Sequence, residues 1–258
     1  LHKRNYLTTN SGPAHRIPDR SLEYQPKLNL EKNRIVGCEA LLRWQSPEFG
    51  RVMRNDFIPR LEETGGIVAV GNWVIRTAVD QAKTWLDHGH LIAVSVNVSA
   101  LQFRQAGLVE QVVAMLNASG LPPALLQVEI TESLLMKDAD KSEAIMRELM
   151  KVGVNVSLDD FGTGYSSLSY LRRFPISELK IDRSFVMDIG TNETAAQIVK
   201  TVIDLGHALG MKVTAEGVET DKQRNELQSL GCNEIQGYVL SRPLQKDAFE
   251  ALINMVRP

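Results

Sequence analysis

The chain has 258 residues and a mass of 28.7 kDa, with 43% apolar and 23% charged residues. This is an ordinary globular balance, which excludes disorder, a collagen-like repeat and a disulfide-stapled miniprotein. The 29 basic residues against 31 acidic ones leave a formal charge of −2, which argues against a strongly basic nucleic-acid binder but not against a local basic pocket.

Residues 1–20 are polar and broken by Asn10-Ser11-Gly12-Pro13 and Pro18. They read as a linker or expression remnant, with residues 21–258 as the domain. The chain opens on Leu1 rather than Met, so a piece of a longer protein is expected, with any anchor or sensor outside it. His2, Lys3 and Arg4 lead into a polar stretch instead of the apolar run of a signal peptide.

From Ser21 onward, short apolar or alternating runs take turns with longer stretches of helical period. Strands are expected at 22–28, 35–44, 92–98, 126–131, 154–159, 178–181, 212–215 and 234–238. Most read as β-branched or apolar throughout, as strands buried on both faces do. Helices are expected at 59–70 and 73–88 with no strand between them, then at 101–119, 138–152, 166–173, 193–209, 221–230 and 246–255. The charge-free run 111–128 is long enough to raise a membrane span, but Asn117, Gly120 and Pro122-Pro123 mark a helix end, a turn and a new strand. Strand–helix alternation of this length predicts an α/β protein with a largely parallel sheet. A TIM-like (β/α)8 barrel of ~250 residues fits. A doubly wound open sheet is the alternative, because both bury parallel strands under helices.

The informative residues are the polar ones at strand ends: Glu39, Asn97, Glu129, Asp159 with Asp160, Lys180 with Asp182, Glu216 and Gln236. Any one alone reads as a solvated loop residue. Recurrence on seven strands is different, because a parallel barrel opens all its C-terminal strand ends on one rim, where active sites lie. Acids and amides meeting there repel one another unless a cation sits among them. The donors are hard oxygens without cysteine or histidine, which selects Mg²⁺, Mn²⁺ or Ca²⁺ over zinc or copper.

The histidines fall elsewhere: His2 and His15 in the tail, His88 and His90 around Gly89, and His207 in a helix. No histidine acid–base mechanism is expected. Asp159-Asp160 with Lys180 fits metal-assisted phosphoester hydrolysis, in which two ions ~3.5–4 Å apart share a bridging carboxylate. Lys180 either serves the attacking water and the developing charge or is a surface lysine beside Asp182; spacing leaves both open. The run Gly162-Thr163-Gly164 lacks the third glycine of a dinucleotide fingerprint and reads as a movable loop over the rim. Arg172-Arg173 reads as a solvated helix end. Cys38 and Cys232, without a Cys-x-x-Cys, suit a reducing cytosol.

Several motifs occur in a fixed order. They run from Tyr24-Gln25-Pro26 through Glu39-Ala40-Leu41-Leu42-Arg43-Trp44, Phe57-Ile58-Pro59, Asn97-Val98-Ser99 and Glu129-Ile130-Thr131-Glu132. The series continues with Asp159-Asp160-Phe161-Gly162-Thr163-Gly164-Tyr165-Ser166-Ser167-Leu168 and Leu179-Lys180-Ile181-Asp182. It closes with Ala215-Glu216-Gly217-Val218-Glu219-Thr220 and Gln236-Gly237-Tyr238. From about residue 21 to the C-terminus the sequence resembles the EAL domain family, phosphodiesterases of the bacterial second messenger cyclic di-GMP.

The resemblance implies a modified TIM barrel with the first strand antiparallel. It implies Mg²⁺ or Mn²⁺, two ions per site, one held by Glu39, Asn97, Glu129 and Asp159. Asp159 would bridge to a second ion that Asp160 also holds. Glu216 is implied as a ligand of that second ion or as the base for the attacking water, and Lys180 as a contact of that water. Arg43, Leu41 and Gln236 are implied as substrate-binding positions, Arg43 as a planar fork on a phosphate. Glu132 and Glu219 would brace the loop after Asp160. The implied reaction cuts cyclic di-GMP to linear pGpG; the alternative is a silent receptor for the same nucleotide. Such receptors lose a metal-site acid or alter the loop, whereas Glu39, Asp159, Asp160, Lys180 and the loop are all present here. A cytoplasmic domain, a homodimer, attached sensor, GGDEF or membrane domains, and no DNA or RNA polymer partner complete the expectation. The family opens with a helix before its first strand, and residues 11–20 do not look helical.

Overall fold

The computed structural model describes residues 20–136, 138–162 and 168–255. Residues 1–19 of the expected linker 1–20 and the loop 163–167 lie outside the described residues, and Arg20 begins the first strand. One sheet contains β1 (Arg20–Asn29), β2 (Arg34–Ser46), β3 (Gly50–Val52), β4 (Ala93–Asn97), β5 (Leu126–Thr131), β6 (Asn155–Phe161), β7 (Glu178–Ile181), β8 (Lys212–Ala215) and β9 (Glu234–Gln236). The order β1-β9-β8-β7-β6-β5-β4-β2 closes on itself through β1–β2, and β3 folds back on β2 as a hairpin. β1 runs antiparallel to both neighbours, while the remaining barrel strands pair in parallel. This is the modified TIM barrel with a reversed first strand, not an open sheet. The reversal has a simple cause: only residues 30–33 separate β1 from β2, and a parallel pair needs a crossover of a dozen or more.

The eight predicted strands match the barrel strands to within two residues at each end, and β3 is additional. The helices after β3 differ from expectation. They occupy Arg54–Glu63 and Gly66–Asp87, with Pro59 inside the first one. The break falls at Gly65, whose φ of 74° suits glycine, and not after Val70. The expected helix 101–119 is likewise split into Ala100–Phe103 and Leu108–Ser119 at Gly107, with φ of 85°. Two short helices, Glu132–Met136 and Arg183–Val186, follow β5 and β7 without having been predicted. No described helix is long and apolar enough to cross a membrane.

The strands are apolar on one face only, which corrects the expectation of two apolar faces. Val94, Val96, Val128, Ile130, Val156, Leu158, Leu179, Ile181, Val213 and Ile235 point out to the helix layer and are buried there. The alternate residues Ser95, Gln127, Glu129, Ser157, Glu178, Lys180, Thr214 and Glu234 point inward and are equally buried. The centre of the barrel is therefore a polar network. Lys27 Nζ donates to Ser95 Oγ at 2.7 Å and to Glu129 Oε1 at 2.9 Å, and lies 3.6 Å from Glu178 Oε1. Gln127 and Thr214 each donate to Glu178 at 2.8 Å, and Lys212 pairs with Glu234 at the solvent end. Burial pulls the Lys27 ammonium down, but the Glu129 and Glu178 carboxylates outweigh it and hold it charged. Hydrophobic packing sits outside the barrel. There Trp85 packs edge-on against Tyr24 at 4.9 Å between ring centres and against Phe249 at 4.7 Å, which docks the last helix, Lys246–Met255, over β1.

Candidate active site

The parallel strands deliver Glu39, Asn97, Glu129, Asp159, Lys180, Glu216 and Gln236 to one end of the barrel. Because β1 runs the other way, its first half reaches the same rim, with Gln25 opposite Glu39 and Glu23 opposite Leu41. Neighbouring residues on a regular strand face opposite ways, so Asp159 and Asp160 could not both face the rim without a break in the ladder. The break is present. β6 pairs Leu158 with Leu179 but Phe161 with Ile181, a bulge, and Asp160 takes a left-handed φ of 56°. Carboxylate oxygens of Asp159, Asp160 and Glu216 come within 4.8 Å of one another as a result.

Lys180 occupies the middle of the site with its side chain 1% exposed, which removes the surface-lysine reading. Its Nζ lies 2.7 Å from Glu129 Oε2, 2.7 Å from Glu216 Oε1, 3.1 Å from Asp159 Oδ1 and 3.8 Å from Glu39 Oε2. Glu39 is held further by donation from Asn97 Nδ2 at 2.7 Å and from Gln236 Nε2. Glu129 lies deepest, one oxygen on Lys27 and the other on Lys180. Burial would raise its pKa, but the two ammonium groups outweigh burial and hold it at about 2.

The other acids lack that compensation. Burial, with Glu129, Glu39 and Asp160 nearby, pushes Asp159 up to about 6 against the pull of Lys180. Burial and the Asp159, Glu39 and Glu129 carboxylates push Glu216 up to about 8. Asp160 is also raised, by burial and then by Asp182. The cup thus holds more acid than its ammonium groups neutralise, a surplus that a hard cation would balance. An all-oxygen donor set with surplus negative charge fits divalent metal binding.

A cavity of about 940 Å³ opens above these groups. Glu39, Asn97, Asp159, Asp160 and Glu216 line its floor, and Leu41, Arg43 and Gln236 its walls. Glu219 also faces it, paired with Arg183 at 2.8 Å. Glu132 is buried beyond β5, and neither of its carboxylate oxygens has a hydrogen-bond partner among the described residues. The loop it was expected to brace lies outside them. None of the described histidines lines the cavity; His88 meets Glu250 and His207 meets Asn233. Sequence reasoning missed Lys27 beneath the floor and Glu23, Arg51, Arg54, Arg183 and Arg242 on the walls. For Lys27 the signal was available, since β5, β7 and β8 alternate polar with apolar residues.

Fold and site together define a β/α-barrel protein that gathers hard-cation ligands beneath an arginine-bearing wall. The EAL domain family matches residues 14–243. The bifunctional diguanylate cyclase/cyclic di-GMP phosphodiesterase MucR of Pseudomonas aeruginosa is 46% identical over 233 residues, covering 90% of this chain and 34% of that protein. The cyclic di-GMP phosphodiesterase PdeR of Escherichia coli is 39% identical over 248 residues, 95% of this chain and 37% of that protein. A solved structure of the PaMucR phosphodiesterase in complex with c-di-GMP superposes with a TM-score of 0.88 at 44% identity, covering 96% of this chain and 100% of the other. This chain belongs to the EAL domain family. It spans about a third of the length of these two curated relatives.

Proposed function

We propose that the chain hydrolyses one 3′–5′ phosphodiester of cyclic di-GMP, giving linear pGpG. The observation that carries this reading is the Lys180 ammonium held among Glu129, Asp159 and Glu216 beneath a nucleotide-sized cavity whose floor Asp159 and Glu216 line. Relatives named as cyclic di-GMP phosphodiesterases support the substrate.

Glu39, Asn97, Glu129 and Asp159 would hold one Mg²⁺ or Mn²⁺ ion, and Asp159 and Asp160 a second. Bound ions of this kind acidify water and neutralise charge on phosphate oxygens. The chain's own groups do the rest. Arg43 holds substrate phosphate, and Leu41 and Gln236 complete the wall. Lys180 donates a hydrogen bond that orients the attacking water. Glu216 either completes the ligand set of the second ion or, in its ionised form, takes a proton from that water. The water oxygen bonds to phosphorus, the P–O3′ bond breaks with its electron pair going to O3′, and O3′ takes a proton from solvent water to become the free hydroxyl of pGpG. Glu132 and Glu219 position the segment after Asp160.

The greater length of the relatives supports attachment to sensor, GGDEF or membrane domains, and the family resemblance supports a homodimer. The test is to incubate the chain with cyclic di-GMP and Mg²⁺ or Mn²⁺ and separate the products, beside EDTA and Glu39→Ala arms. Appearance of pGpG that vanishes in both arms upholds the reading. Binding without turnover in either metal replaces it with the silent receptor.

A further inference from the structure

Arg43 enters the cavity wall from β2, four residues beyond Glu39. At strand rise its backbone lies about 13 Å from that of the floor carboxylate. A guanidinium on a long flexible stem needs a second contact to fix its plane, and Glu23 supplies it. Arg43 Nε donates to Glu23 Oε2 at 2.6 Å, and Arg43 Nη1 donates to the Leu42 carbonyl at 3.1 Å. The Nη2 edge has no protein partner among the described residues. The same Glu23 oxygen accepts from Arg51 Nη2 at 3.0 Å, from the hairpin strand β3. Side-chain exposure is 12% for Glu23, 15% for Arg43 and 57% for Arg51, and all three line the cavity.

Two guanidinium groups so close repel each other unless a carboxylate lies between them. Glu23 brings them together and leaves the group one positive charge in excess, with free donors toward the cavity. Planar donor forks of this kind match phosphate oxygens.

We propose that Glu23 is a positioning residue that sets Arg43 and Arg51 as a joint anchor for the second phosphodiester of the substrate, the one that is not cut. This rests on the phosphodiesterase reading. The carboxylate floor receives the diester that reacts. The arginine pair, set back along β2 and β3, receives the other and so fixes the register of the ring over the floor.

The test compares wild type, Glu23→Gln, Glu23→Ala, Arg51→Ala and the Glu23→Ala/Arg51→Ala double variant. Each is measured on cyclic di-GMP and on bis(4-nitrophenyl) phosphate, a diester with a single phosphate. Equilibrium binding of cyclic di-GMP in EDTA and thermal melts accompany the kinetics. The near-isosteric Glu23→Gln separates loss of charge from loss of fold. Both Glu23 variants are expected to raise KM for cyclic di-GMP about tenfold, with a smaller change in kcat. The ratio of kcat/KM for cyclic di-GMP over the single-phosphate diester falls with it. Arg51→Ala loses less, and adds little once Glu23 is gone. Equal losses on both diesters, a fall in kcat at constant KM, or full additivity of Glu23→Ala with Arg51→Ala would overturn the proposal. A wild type that cuts neither diester removes the phosphodiesterase reading alone; the anchor then stands if the Glu23 variants bind cyclic di-GMP more weakly in EDTA, and falls if they bind it equally.

Discussion

Replacing Lys27 with methionine tests whether the polar barrel interior is held by its charge balance. The side chain is buried, and its ammonium lies 2.9 Å from Glu129 and 3.6 Å from Glu178. Methionine fills similar volume and removes the charge. Glu129 keeps Lys180 at 2.7 Å, but Glu178 keeps only Lys212 at 3.5 Å and the neutral donors Gln127 and Thr214. Breaking a buried pair on one side costs about 3–5 kcal/mol, because the remaining charge has lost its partner. At about 2–4 °C per kcal/mol for a chain of this size, the melting temperature should fall by about 10 °C. The effect should be non-additive: Lys27→Met with Glu178→Gln removes the stranded charge and should melt above Lys27→Met alone. Calorimetry in EDTA at pH 7 measures both. A Lys27→Met protein melting within about 2 °C of wild type, or a double variant as unstable as the sum of its parts, would refute the reasoning, because water would then be solvating Glu178.

Asp159 and Glu216 have folded pKa values of about 6 and about 8, above their ordinary values of 3.8 and 4.5, so the folded state binds more protons. Metal-free stability should therefore fall as pH rises from 5 to 8, and the gain in melting temperature on adding Mg²⁺ should grow over that range. Glu129, held at about 2, contributes fully above its ordinary value of 4.5 and does not alter that slope; a metal-free melting temperature that rises from pH 5 to 8 would contradict it. Lys180→Met should lower kcat by about 10²-fold or more and lower the melting temperature in EDTA more than in Mg²⁺, since cations compensate the same acids; equal losses in both would show a purely structural role. Gly237→Ala would put a Cβ 2.1 Å from the Val218 carbonyl oxygen and 2.4 Å from its nitrogen. A loss of about 1–3 kcal/mol or more is expected by chemical denaturation, and a wild-type midpoint would mean that the segment after β9 shifts freely.

The strand positions were legible because each is a short run between turn residues, and the rim residues because acids and amides recur at their ends. The reversal of β1 came from the family resemblance and not from the pattern; the four-residue connection to β2 is its physical reason. Helix boundaries were less legible. Pro59 resembles a helix start but is tolerated within the first helix, while Gly65 and Gly107 end turns through a backbone freedom that hydrophobic period does not reveal. The alternation in Gln127-Val128-Glu129-Ile130 or Glu178-Leu179-Lys180-Ile181 was visible. Its inward polar face was hidden by the general rule that parallel strands are apolar on both sides.

The sequence by itself determined the strand–helix alternation, the family and the types of residue at the strand ends, because these depend on local pattern and order along the chain; closure of the barrel through β1 and β2 is a matter of strand pairing. Only the tertiary structure decided that Lys180 is surrounded by Glu129, Asp159 and Glu216, that Lys27 supports Glu129 from beneath, and that Glu23 joins Arg43 to Arg51. Those contacts link residues on or just beyond different strands, up to 102 positions apart. Barrel closure and the bulge at Asp159-Asp160 set them, and a lysine's charge state and partners follow from what the closed barrel places around it.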